Sequence, residues 1–149
     1  AGVAVKHTVE LVDLMPTLCD LAGVPVPKGA DGRSLADLLR APDSTKTPDG
    51  ASLRFDDRPA LTEVTMNGRH GMSMRTKRWR YTRWDGGKAG QQLYDHDADS
   101  HELTNLADRP EHAATMRELD GEIDRRIEED FYMAPAARKK AAASQSHVQ

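Results

Sequence analysis

Between Ala60 and Asp95 the chain alternates short strand-forming runs with turn signals so closely spaced that an antiparallel meander is the fold it can adopt. Ala60 to Met66 ends at Asn67-Gly68, a pair that tolerates the positive φ of a two-residue hairpin turn. Gly71 to Thr76 is the second run, and Trp79 to Trp84 the third, joined through Lys77-Arg78. Asp85-Gly86-Gly87 turns the chain again, and Gln92 to Asp95 is the fourth. About four strands of ordinary length result. Alternation along the third places Trp79, Tyr81 and Arg83 on one face and Arg78, Arg80, Thr82 and Trp84 on the other.

A sheet of this size must bury one face against something. The partner is a closing helix: Met116, Leu119, Ile123 and Ile127 form an apolar stripe at helical spacing. Asp108 to Glu111 offers a capping-box-like start with Pro110 in the first turn, and Gly121 weakens the helix by about 1 kcal/mol relative to Ala. Upstream, Asp13 reads as the cap of a helix with Pro16 in its first turn, Leu14, Leu18 and Leu21 on one face, and Gly23 as its left-handed stop. Val3 to Val12 reads as an interior strand. After an Asp31-Gly32 turn, Ser34 caps a short helix from Leu35 to Leu39. The organisation is α+β. Residues 1–40 form a first unit, 41–59 a surface loop rich in Pro, Asp, Ser, Thr and Gly, 60–134 the meander with its helix, and 135–149 a disordered tail.

With 38% apolar and 30% charged residues among 149, any core is thin. One cysteine excludes an internal disulfide framework and multi-cysteine metal sites. No apolar run approaches the roughly 20 residues that span a bilayer, so no membrane partner is expected. The chain opens at Ala1 without an initiator Met or signal-peptide pattern, which reads either as the interior of a longer chain or as a mature N-terminus. Charge is unevenly placed: Arg69 to Arg83 holds six Lys/Arg and no acid, whereas Asp95 to Asp130 holds thirteen acids and four arginines. The two stretches either pair with each other or mark a face for an anionic ligand.

Few residues advertise chemistry. Cys19, flanked by Leu18 and Leu21 and beside Asp20, reads as a buried structural thiol. Asp95-His96-Asp97-Ala98-Asp99-Ser100-His101-Glu102 begins like a calcium loop, then has Ser100 where the loop needs Gly and Leu106 where it needs Glu. No metal site and no catalytic residue is expected in this chain. Arg75 to Trp84 has the composition of a nucleic-acid surface, but its aromatics and charges divide between two faces, so no nucleic-acid partner is expected.

Three ordered stretches resemble the C-terminal part of the sulfatase family, within the alkaline phosphatase superfamily. Val9-Glu10-Leu11-Val12-Asp13-Leu14-Met15-Pro16-Thr17-Leu18-Cys19-Asp20-Leu21-Ala22-Gly23-Val24-Pro25 looks like the segment that closes the family's large α/β domain, and Asp31-Gly32-Arg33-Ser34-Leu35 like the motif after it. Leu93-Tyr94-Asp95, Glu102-Leu103-Thr104-Asn105-Leu106-Ala107 and Pro110-Glu111 resemble the family's ending. Gly71 to Thr76 with Arg80-Tyr81-Thr82-Arg83-Trp84 resembles iduronate-2-sulfatase-like members. The likeness covers roughly residues 9 to 130.

That resemblance implies the end of a large α/β domain followed by a small antiparallel subdomain. It implies a parent that hydrolyses sulfate esters of a sulfated saccharide, using calcium and a formylglycine made from Cys or Ser, in the periplasm or outside the cell. Both groups would sit on an upstream catalytic domain. Cys19 is followed by Asp20, Leu21, Ala22 and Gly23, so it lacks the Pro and Arg of the formylglycine motif, and the chain alone is expected to be inactive. In this setting Arg69 and His70, after the Asn67-Gly68 turn, are the candidate substrate-binding residues, as loop cations for a carboxylate beside the sulfate ester. A choline-sulfatase-like enzyme, a phosphodiesterase of the same superfamily, and a basic-faced polyanion-binding module are the alternatives.

Overall fold

The computed structural model describes residues 7–40 and 58–128. The Val3–Val5 start of the expected first strand, nearly all of the 41–59 loop and the tail lie outside those residues.

Four strands form the meander, β1 (Ala60–Met66), β2 (Arg69–Arg75), β3 (Trp79–Trp84) and β4 (Gln91–Asp95), antiparallel and in chain order. Asn67 (φ 53°) and Gly68 (φ 74°) make the first turn, as an Asn-Gly pair should. Strand β2 begins two residues earlier than its hydrophobic pattern indicates, because Arg69 and His70 pair with Met66 and Thr65. The candidate cations therefore lie in a strand and not in a loop. Leu61, Met72, Met74, Tyr81 and Leu93 share one face and are buried beneath the closing helix, where Leu119 and Ile123 complete the core. That helix, Ala113–Arg126, is α3 in chain order, after α1 (Leu14–Ala22) and α2 (Ala36–Arg40). Met116 and Ile127 flank the stripe as its spacing requires. Its start differs from the expected capping box: a 3-10 turn over Pro110–His112 leads in from Arg109, with no side-chain cap.

The first unit departs further from the sequence reading. Residues 7–10 belong to no strand, and a 3-10 turn at Leu11–Asp13 runs into α1, so the described part of Val3 to Val12 is not an interior strand. Asp13 does not cap α1. Its carboxylate accepts the Glu10 N–H at 3.0 Å and the Arg33 N–H at 3.0 Å, tying the Asp31-Gly32-Arg33 turn to the helix start. Thr17 continues that seam, accepting the Leu35 N–H at 2.9 Å. Gly23 ends α1 in the left-handed region and Ser34 caps α2 through the Ala36 N–H, both as expected.

Glu10 joins this unit to the sheet. Its carboxylate accepts the Leu61 N–H at 2.9 Å, pairs with Arg58, and lies 3.3 Å from the Arg126 guanidinium of α3. Arg126 also donates to the Pro59 carbonyl at 3.0 Å. Both ends of the described chain thus meet at the start of β1. Charges this buried hold only as a mutually satisfied set.

Candidate functional site

The face of the sheet opposite α3 carries the candidate site. Strand alternation and register place Val64, Met66, Arg69, Gly71, Ser73, Thr82, Trp84 and Gln92 there. At the end near the first hairpin lies an open cleft of about 650 Å³, lined by Met66, Asn67, Arg69, Trp84, Gly90 and Gln92 among others. The same alternation sends His70 to the opposite face, where its ring meets the Glu63 carboxylate at 2.6 Å. The two candidate residues are therefore not brought together: Arg69 lines the cleft and His70 does not.

The loop from β3 to β4 shapes the cleft. Asp85 (φ 48°), Gly86, Gly87 and Gly90 all have positive φ, which folds the chain back so that Trp84 N–H donates to Gly90 and Ala89 N–H donates to the Trp84 carbonyl. A left-handed Asp is uncommon. Here its carboxylate accepts the His70 N–H at 2.9 Å, which fastens the loop to β2. Trp84 lies against Gly71: a Cβ at residue 71 would stand 2.7 Å from the indole Cζ3 and 3.0 Å from Val64 Cγ1. Gln92 accepts from the indole N–H at 3.5 Å and donates to the Tyr94 hydroxyl at 3.3 Å. Sequence reasoning passed over Trp84 and Gly71 as site residues. The available signal was a glycine inside a strand, which marks a close approach.

The basic run is largely spent within the molecule. Arg78 donates to both Asp95 oxygens, at 3.0 and 2.7 Å, and its guanidinium lies 4.5 Å from the centre of the Trp79 ring. Arg80 pairs with Glu102, and Arg83 bridges Asp120 and Asp124 on α3. Arg75 donates to the Thr76 and Trp79 carbonyls. Of the two possibilities open from sequence, pairing between the basic and acidic stretches is what the fold builds. Among the described residues, no hydrogen bond or ion pair engages the Arg69 guanidinium, which leaves it available to an anion in the cleft.

These pairings set the titration of the acids. Hydrogen bonds from Arg78 hold the Asp95 carboxyl below the ordinary aspartate range, against a smaller upward push from burial. Burial pushes Glu102 up, but hydrogen bonds from His96 and Arg80 outweigh it and the net shift is downward. On the covered face, burial and the hydrogen bond to Asp120 raise the Tyr81 phenol, so it stays protonated at any physiological pH.

The acidic run that begins like a calcium loop is consumed as structure: Asp95 by Arg78 and the Asp97 N–H, Asp99 by the Thr104 N–H, Glu102 by Arg80 and His96. Among the described residues, no three His, Cys, Asp or Glu side chains are grouped to hold a metal ion. Cys19 is half-buried, more accessible than the core thiol its flanking leucines indicate. No helix among the described residues is long and apolar enough to cross a membrane.

Residues 1–129 match the family model described as N-sulphoglucosamine sulphohydrolase, C-terminal. A delta 4,5-hexuronate-2-O-sulfatase of Bacteroides thetaiotaomicron is 36% identical over 107 residues, covering 72% of this chain and 21% of that protein. Human arylsulfatase K is 33% identical over 119 residues, covering 72% of this chain and 20% of the relative. Among solved structures, a 2-O GAG sulfatase superposes with a TM-score of 0.65 at 30% identity, covering 88% of this chain and 27% of that one. The chain thus spans a fifth to a quarter of the length of such relatives.

Proposed function

The chain belongs to the N-sulphoglucosamine sulphohydrolase C-terminal family, the closing part of a sulfatase, and from that premise we propose that its parent is a sulfuric ester hydrolase acting on a sulfated saccharide that contains a uronic acid. The carrying observation is Arg69, a cation with no partner among the described residues, on the rim of an open polar cleft, in a chain whose relatives include a hexuronate-2-O-sulfatase. The iduronate-2-sulfatase-like reading of Gly71 to Thr76 and Arg80 to Trp84 agrees with that substrate class. A guanidinium fork binds a carboxylate bidentately, so Arg69 would hold the uronate beside the ester and orient it without touching the sulfur. His70, on the other face and paired with Glu63, has no part in this step.

Calcium and a formylglycine complete the proposal for the parent. The residues present here do not fit either group: Cys19 lacks the modification motif, and among the described residues no three His, Cys, Asp or Glu side chains are grouped to hold a metal ion. Both therefore belong to the upstream catalytic domain in this reading, and no step of the chemistry is assigned to this chain. The family resemblance favours a periplasmic or secreted enzyme.

The test is sulfate release by the parent from a 2-O-sulfated hexuronate disaccharide and from an uncharged aryl sulfate, each with wild type and Arg69→Ala. Turnover of both by wild type is expected. The variant should lose about 1.5–3 kcal/mol of transition-state binding on the uronate, the range for a hydrogen bond to a charged group, and much less on the aryl ester. Equal losses on the two substrates would remove Arg69 from the site, and no turnover of either would remove the proposed reaction.

A further inference from the structure

Trp84 stands out on the open face of the sheet. Val64 and Gly71 lie on one side of it and polar groups on the other, where Ser73 and Thr82 hydrogen-bond to each other at 2.8 Å and Gln92 meets Tyr94; this large ring is only half-buried and borders the cleft. It is also fixed in place. Gly71 removes the side chain that would lift the indole off the sheet, Gln92 engages the indole N–H, and the β3–β4 loop locks the Trp84 main chain through both its N–H and its carbonyl. An aromatic surface held in this way binds without a further ordering cost.

Arg69 and Trp84 occupy diagonal positions on neighbouring strands, Gly71 being the register partner of Trp84. Such positions are about 7–8 Å apart, which is within the reach of a long side chain. The rest of the lining includes the Asn67, Gln91, Gln92 and Asn105 amides, groups that both donate and accept. A flat aromatic surface, side-chain amides and, among the described lining residues, one cation match a pyranose ring bearing one anionic group. They do not match a nucleic-acid strand, which calls for a track of cations, and the other arginines of this run are held by Asp95, Glu102, Asp120, Asp124 or main-chain carbonyls.

We propose that Trp84 is the stacking platform of a saccharide subsite, carrying the apolar face of the hexuronate ring whose carboxylate Arg69 takes. The inference rests on the proposed function for the identity of the sugar, and it adds the residue that recognises the ring as distinct from its charge. Stacking is indifferent to charge, whereas the guanidinium is not. The two contacts therefore separate cleanly by ligand.

The experiment is calorimetric titration of the full-length parent with an unsulfated hexuronate disaccharide, which it cannot turn over, and with the corresponding neutral disaccharide. Trp84→Ala should weaken binding of both by at least tenfold. Trp84→Phe, which keeps an aromatic face and guards against loss of folding, should retain most of the affinity at an unchanged melting temperature. Arg69→Ala should weaken only the uronate. Undiminished binding by Trp84→Ala, with sulfate release from aryl sulfate intact in the wild type, would overturn the platform and leave the proposed reaction standing. Disaccharide binding that depends on Trp84, in a parent that releases sulfate from no ester, would uphold the platform and remove the reaction. Loss of uronate binding in Trp84→Phe equal to that in Trp84→Ala would also count against stacking.

Discussion

A Cβ added at Gly32 would stand 2.0 Å from the Val12 carbonyl oxygen and 2.7 Å from the Asp13 nitrogen. Both are main-chain atoms of the turn that leads into α1, so neither yields as a flexible side chain would. Gly32→Ala should therefore separate the Arg33 N–H from the Asp13 carboxylate and cost on the order of 3–5 kcal/mol, seen as a lower melting temperature of the parent. Gly121 carries the opposite expectation. It is exposed in the middle of α3, and a Cβ there meets nothing within 4 Å. Gly121→Ala should raise stability by about 0.8–1 kcal/mol through helix propensity alone. A loss on thermal unfolding would show that α3 needs the glycine for a contact in the parent. The first glycine reads from sequence only as a turn signal, because the chain that crowds it is twenty positions upstream and the approach is tertiary. The second was legible, since the cost of glycine in a helix is local.

At the scale of elements, the β3–β4 hairpin is pinned by carboxylates that the fold holds below their ordinary range, Asp95 by Arg78 and Glu102 by His96 and Arg80. A carboxyl that titrates lower in the folded than in the unfolded chain contributes stability that is complete above its unfolded value. That contribution drains away as pH falls through the folded value. Unfolded Asp and Glu titrate at about 3.9 and 4.3, so amide protection across Trp79 to Asp95 should hold at about pH 6 and fall below about pH 4. Asp95→Asn should lower protection at neutral pH and flatten its acid limb, and an unchanged limb would assign the acid sensitivity to other groups. The hairpins themselves were readable because Asn67-Gly68 and Asp85-Gly86-Gly87 are local devices with their own φ requirements. Which face each side chain takes was less so. Arg69 and His70 look equivalent until the register carries β2 back to Arg69, and then alternation separates them. The two expected caps, Asp13 and the Asp108 box, failed for a related reason: one carboxylate found a better partner across the turn, and a 3-10 lead-in displaced the other start.

The whole molecule has two faces of unlike finish. Around the sheet the apolar stripe of α3 is fully used, with Leu119 and Ile123 buried on Met72, Met74, Tyr81 and Leu93. Around α1 it is not: Leu11 is 83% exposed and Leu18 64%, with Val12, Leu14, Met15 and Leu21 about half exposed beside them. An apolar surface of that continuity marks an interface, and in the proposed reading, which takes the chain as the closing part of a longer sulfatase, its partner is the parent's upstream domain. Within the described residues Glu10 and Asp13, just ahead of α1, are tied to the sheet side through Arg58 and Arg126, and such pairs supply registry more than net stability. The 149-residue chain expressed by itself should therefore show strong hydrogen-exchange protection from Ala60 to Arg126 and weak protection from Leu11 to Ala22, with self-association that rises with concentration. In the parent the weak segment should reach the protection of the sheet. Replacing Leu14 and Leu18 by Gln should suppress self-association of the short chain and destabilise the parent, opposite signs from one pair of substitutions. Equal, strong protection of both segments in a monomer of the short chain would mean that α1 is secured by this unit's own contacts and that its apolar face serves no domain partner.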